Sequence, residues 1–249
     1  MGSKSRTLMV TAFLAVLVAV SGCQTGQQTS APDEMPSVDE LREQTTAAME
    51  DVETSSFTMD MTMDAQGQTI TMSADGKMDI PAKQMEMTVD MSGSGQNLQV
   101  TQYIDGNTMY MKMGEQWIQR EAPGQNVWQN NQLTQQQQIL EAAEIELNGT
   151  TTVDGESVYR VDMEANEATA RQILEQSAGQ VPAGSLENVD LNGFELTQYV
   201  DVETSHVRKV DMQMDMAVQG QSSTVDMTMT FSDFNSDVSI EIPDAAKSA

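Results

Sequence analysis

From Phe57 to Asp64 the chain reads Phe-Thr-Met-Asp-Met-Thr-Met-Asp, apolar at every odd position and Thr or Asp at every even one. Successive side chains of a β-strand leave opposite faces, so this alternation predicts a half-buried strand. It argues against a helix, whose apolar positions recur three and four residues apart. The pattern returns at Met85–Met91, Met109–Met113, Met212–Met216 and Val225–Phe231. Such segments hide their apolar side by lying next to one another. The expected fold class is therefore α+β: a large antiparallel β-sheet with one soft, methionine-lined concave face and a few helices.

Punctuation between the strands fits a meander. Ala65-Gln66-Gly67-Gln68, then Asp75-Gly76 or Pro81-Ala82, then Ser92-Gly93-Ser94-Gly95 and Asp105-Gly106-Asn107 supply turn residues at roughly ten-residue spacing. Ahead of them, Ser37-Val38-Asp39-Glu40 reads as a capping box, opening a helix to about residue 52 with Val38, Leu41, Thr45, Ala48, Met49 and Val52 on one face. Trp117 and Trp128 are expected to cover an edge or rim of the sheet. Thr134 caps a second expected helix with Ile139, Leu140 and Ala143 inward, and Asn166 caps a third over Ala168–Ala178. Asn148-Gly149-Thr150 reads as a turn in preference to a glycosylation sequon, and Asp154-Gly155 as a hairpin tip. Val181–Gly193 reads as a loop. Strands resume over Phe194–Val202, Val207–Val218, Ser223–Phe231 and Val238–Ile242. Thr101-Gln102-Tyr103-Ile104-Asp105 and Thr197-Gln198-Tyr199-Val200-Asp201 are near-copies, a weak internal repeat.

The N-terminus has a different character. Lys4 and Arg6 precede the apolar run Leu8–Val20, and Ser21-Gly22-Cys23 follows, the layout of a signal peptide over residues 1–22. The run is too short to span a bilayer, which takes about 20 residues. Val20-Ser21-Gly22-Cys23 resembles the lipobox of bacterial-type lipoproteins, and the resemblance implies cleavage before Cys23 and lipidation of its thiol. Cys23 is the chain's one cysteine, so no internal disulfide or thiolate cluster is available. Residues 23–36, rich in Gln, Thr, Ser and Pro, have the composition of a disordered tether. The expected location is therefore extracytoplasmic and membrane-anchored, with a single domain over residues 37–245.

A formal charge of −26, from 38 acidic against 12 basic residues, excludes nucleic acid as a partner. The acidic balance fits a halophile's protein, stabilised as salt screens self-repulsion. Catalytic constellations are missing from the sequence, so no enzyme activity is expected. His206, the single histidine, reads as an exposed turn residue without a nucleophile to serve. No cofactor fingerprint or metal-binding motif is present. One soft-metal alternative stands: alternate thioethers such as Met59, Met61 and Met63 suit Cu(I).

The order of elements, helix, β-meander, central helices and returning meander, resembles the lipoprotein-carrier fold of LolA and LolB, and most of all the mycobacterial LppX/LprG-type lipoproteins. The residues that carry this are the helix leading into Ser55-Ser56-Phe57, the Val153–Tyr159 hairpin, the Gln198–Val210 strand–turn–strand and the closing Phe231-Ser232-Asp233-Phe234-Asn235. The resemblance implies a curved half-barrel around an apolar cavity for acyl chains, in a monomer. Met adapts to irregular ligands. The residues expected to line the cavity are Phe57, Met59, Met61, Met63, Met72, Met85, Met87, Met91, Met109, Met111, Met113, Met212, Met214, Met216, Met227 and Met229. The function this implies is a membrane-anchored carrier or sensor of a lipid or other hydrophobic ligand. The alternative is a structural or interaction lipoprotein with a filled core.

Overall fold

Ser37 opens the fold with both bonds of a capping box: its hydroxyl accepts the Glu40 amide at 3.3 Å, and the Glu40 carboxylate accepts the Ser37 amide at 2.9 Å. Helix α1, Val38–Glu50, follows and buries Leu41, Thr45 and Met49. The computed structural model describes residues 35–65, 67–93, 95–122, 128, 144–164, 170–171, 189–218 and 220–249, and Pro36–Ala249 clusters as one unit. The expected signal peptide, the tether with Cys23, the helix after Thr134 and most of the helix capped by Asn166 lie outside the described residues. Among the described residues, no helix is long and apolar enough to cross a membrane.

Among the described residues, eleven strands form one open antiparallel sheet. The first meander is β1 Thr54–Ala65, β2 Gln68–Asp79, β3 Gln84–Gly93, β4 Gln96–Asp105, β5 Thr108–Met113 and β6 Gln116–Glu121. The second is β7 Glu144–Val153, β8 Glu156–Glu164, β9 Val189–Asp201, β10 Val207–Val218 and β11 Gln221–Ser232. The order is β6-β5-β4-β3-β2-β1-β11-β10-β9-β8-β7, so the pairing of β1 with β11 joins the two meanders. β1 is sixth in that order and pairs its Phe57, Met59, Met61 and Met63 with apolar residues or Gly76 on β2 and β11.

Several expectations change. Asp75-Gly76 is not a turn; it lies inside β2, and the chain reverses at Ile80–Lys83. Gly76 is needed for space: a Cβ there would meet the Phe57 ring and lie 2.7 Å from the Glu86 carbonyl oxygen. Asn148-Gly149-Thr150 is not a turn either. It forms a bulge within β7, with the register shift between Leu147 and Thr150 and Gly149 at φ 82°. The segment expected as a loop up to Gly193 is strand from Val189 onward.

Val238–Ile242 is not a strand. Residues after β11 form a strap that ends in the one-turn helix α2, Asp244–Lys247. Ile240, Ile242 and Ala246 pack on Tyr103, Tyr110 and Trp117, on the outer face of β4–β6. Asn235 fixes where the strap begins: its side chain accepts the Glu53 amide at 2.7 Å and donates to the Asp51 carbonyl at 3.3 Å. The end of α1 and the end of β11 are thereby tied together. The two tryptophans lie on opposite faces of the β4–β6 region. Trp117 lies beneath the strap, and Trp128 packs inside against Ile104 and Met109 with its Nε1–H donating to the Gly106 carbonyl at 2.8 Å.

Candidate hydrophobic ligand site

Register decides which side chains share a surface. Phe57 pairs with Phe231, Met59 with Met229 and Met61 with Met227; on the other side Met61 pairs with Met72, which pairs with Met91. Met212 then pairs with Met227, and Met85, Met87 and Met109 enter the same surface through Met78, Gly76 and Ile104. Every side chain expected to line a cavity therefore falls on one face, which also carries α1 and the main core cluster. Across β3, β2, β1, β11 and β10 a row of Met91, Met72, Met61, Met227 and Met212 runs without interruption.

These side chains do not share one environment. At the end near α1 and the β9–β10 turn, the base, the face is closed: Phe57 is 2% exposed, Phe231 1%, Met78 0% and Val207 0%. Met109, Met214 and Met229 are also buried. Met59, Met61, Met63, Met72, Met85, Met87, Met111, Met212, Met216 and Met227 are half-buried. Toward the β3–β4 and β5–β6 turns, the rim, Met91 is 37% exposed, Leu98 43% and Met113 41%. On β3–β5 the face thus grades from a packed base to accessible thioethers, whereas on β9–β11 Met214, Val225 and Val189 stay buried toward the same end. Amides interrupt it in mid-sheet: Gln198 is fully buried between Val161 and Val210, and Gln102 lies between Met87 and Met111. Sequence reasoning missed both. Their shared parity with inward Ile104 and Val200 in the near-copied pentapeptides was the available signal.

The outer face is polar and internally paired. Thr197 donates to Asp162 at 2.7 Å, Thr228 to Asp211 at 2.8 Å, Thr224 to Asp215 at 2.8 Å and Gln99 Nε2 to Asp90 at 2.9 Å. Arg160 pairs with Asp162 and Lys209 with Asp211, each at 2.9 Å. Burial alone would raise the Asp162 and Asp211 carboxyls, but these donors outweigh it and hold both below the ordinary range. Burial and neighbouring Asp211 push the Tyr199 hydroxyl up. A shallow polar depression of about 420 Å³ lies here, lined by Asp60, Thr197, Tyr199 and Asp226 among others. Among the described residues, no group of His, Cys, Asp and Glu is placed to hold a metal ion.

His206 is partly buried, not exposed as the sequence suggests. Its ring stacks on Phe234 with centroids 4.5 Å apart, at the base beside α1. Burial and Arg208 lower its pKa, against Asp201 and a hydrogen bond to the Ala48 backbone.

Residues 37–249 match the model of a family described as "Family of unknown function (DUF6612)". The chain belongs to that family. No curated protein matches it. Among solved structures, it is similar to the lipoprotein LppX of Mycobacterium tuberculosis at 15% identity and TM-score 0.54, covering 84% of this chain and 100% of that one. LprF of Mycobacterium bovis matches at 13% identity and TM-score 0.54, covering 84% and 98%. A LolA superfamily protein of Nitrosomonas europaea matches at 9% identity and TM-score 0.28, covering 84% and 96%. The fold is thus the one seen in LppX and LprF, in agreement with the resemblance that the element order carries.

Proposed function

We propose that this protein is a membrane-anchored extracytoplasmic lipoprotein that binds a lipid or other hydrophobic ligand against its methionine face, as carrier or sensor and without enzymatic chemistry. The observation that carries this reading is the gradient along that face. A sealed base gives rigidity, while half-buried and exposed thioethers at the rim offer deformable apolar surface that water wets at a cost. The LppX-type fold supports the reading, and the lipobox-like Val20-Ser21-Gly22-Cys23 supplies the anchor. Mass spectrometry of organic extracts from natively purified protein tests it: a stoichiometric apolar species is expected. An extract without one would favour the filled-core structural lipoprotein instead. Cys23→Ser is expected to move the protein from membrane to soluble fraction.

The unbroken row Met91, Met72, Met61, Met227 and Met212 favours one second reading, capture of Cu(I) by adjacent thioethers. Tight Cu(I) binding lost on combined Met61→Leu, Met72→Leu and Met227→Leu substitution would support it. Unchanged weak binding would remove it.

A further inference from the structure

The two near-copied pentapeptides occupy matching places in the sheet and meet opposite surroundings. β4 carries Thr101–Asp105 and β9 carries Thr197–Asp201, and each strand stands third from an edge. Both glutamines point to the inner face, level with apolar residues on the flanking strands. Gln198 is flanked by Val161 and Val210, members of the main core cluster that are both 0% exposed. Gln102 is half-buried, and so are its neighbours Met87 and Met111. Among the described residues, none holds the Gln102 amide by a hydrogen bond.

Around Gln102 the inner face is otherwise apolar. On β4 it lies between Val100 and Ile104, and every inward side chain from Met85 to Met91 on β3 and from Met109 to Met113 on β5 is apolar. This field opens at the rim through Met91, Leu98 and Met113, so water reaches the amide in the free protein. A ligand spread over these side chains displaces that water. An amide then left without a partner weakens binding, because its hydrogen bonds to water are not replaced. A ligand that brings a carbonyl or hydroxyl to the same depth avoids the penalty, since Nε2 donates to a carbonyl and Oε1 accepts from a hydroxyl. An ionised group would incur the larger cost of burying a charge. Gln102 lies four residues below Leu98, about 14 Å along an extended strand.

We infer that Gln102 is the specificity-determining residue of the methionine face, and that the ligand carries a neutral hydrogen-bonding group (ester, ketone, amide or hydroxyl) about 14 Å in from the rim. This inference rests on the hydrophobic-ligand reading. The test is displacement of Nile red, a neutral apolar fluorescent reporter, by methyl dodecanoate and by tetradecane, each presented from cyclodextrin. The two probes match in length, and only the first has an ester. The full chain would carry Cys23→Ser, so that no acyl anchor competes. Measuring the same pair on the parent and on Gln102→Met cancels the differing solubilities of the probes. The preference for ester over alkane is expected to fall roughly tenfold in Gln102→Met, with tetradecane binding the variant more tightly than the parent. The melting temperature of Gln102→Met should stay within a few degrees of the parent, which separates the effect from a folding defect. An unchanged preference, with both probes still displacing the reporter, would overturn the role of Gln102 while leaving the binding function standing. Failure of the reporter and of both probes to bind would overturn both.

Discussion

The base and the rim of the inner face are built from the same alternating sequence and end in opposite states. At the base, Phe57 lies over Gly76 and beside Phe231, with α1 and Val207 closing the space. At the rim, Met91 faces Leu98 and Met113 faces Val100, and all but Val100 remain exposed. Alternation supplies an apolar face; what is packed on top of it decides whether that face is core or binding surface. The base is where stability concentrates, and the rim is where a ligand would find apolar area.

Breaking the base is expected to have the largest effect. Phe57→Ala removes a fully buried ring and should cost about 3–5 kcal/mol. Gly76→Val places side-chain atoms in space the Phe57 ring occupies and should prevent folding or cost at least as much. Urea unfolding followed by circular dichroism measures both; a loss below about 1 kcal/mol for Phe57→Ala would mean that the base is not the stable pole.

Next comes the β9–β10 turn that braces the base. The Asp201 side chain is 4% exposed and accepts the Glu203 and Thr204 amides and the Arg208 Nε–H, each at 2.9 Å. Asp201→Ala leaves these donors unpaired and should cost about 3 kcal/mol. Burial raises the Asp201 carboxyl, but the two amides and Arg208 outweigh it, so its folded pKa lies below the unfolded value near ~3.9. Its contribution is therefore present above pH ~3.9 and lost as pH falls through the lower folded value. A melting-temperature titration should show that acid loss in the native chain and a flatter profile in Asp201→Ala.

His206 gives a smaller effect in a different window. Its folded pKa is lowered, so the unfolded chain takes up the proton first. Stability should be full above pH ~6.5 and decline as pH falls from there to the folded value. His206→Phe keeps an aromatic ring against Phe234 and should abolish this one step. A step that persists in the variant would assign the dependence elsewhere.

The smallest stability change belongs to the rim. Met91→Ala or Met113→Ala should shift unfolding by about 0.5 kcal/mol or less, because these side chains are already in contact with water. Affinity for an apolar reporter should nonetheless fall several-fold. Loss of stability without loss of affinity would reverse the assignment of the two poles.

Much of this was legible beforehand. The strands Val207–Val218 and Phe57–Asp64 announce themselves because period-2 alternation is local, and Ser37 and Glu40 because a capping box spans only three residues. Misreadings fall where a residue answers to something distant in sequence. Gly76 carries a turn signal, yet it is a strand residue that makes room for a phenylalanine from the neighbouring strand. Val238–Ile242 alternates like a strand, but its apolar side chains meet an aromatic cluster on the outer face instead of a ladder. Gly149 bends a strand without ending it.

The sequence by itself determined the parity of the fold: which side chains face inward, that methionine would dominate there, and that the opposite face would be acidic. Tertiary structure alone decided height along the strands. Whether a given methionine is sealed beneath α1 or left open at the rim, and whether a carboxylate has a cation level with it, depends on the register of strands far apart in the chain. Parity is fixed by the geometry of one extended backbone; height is fixed only when the strands are laid side by side.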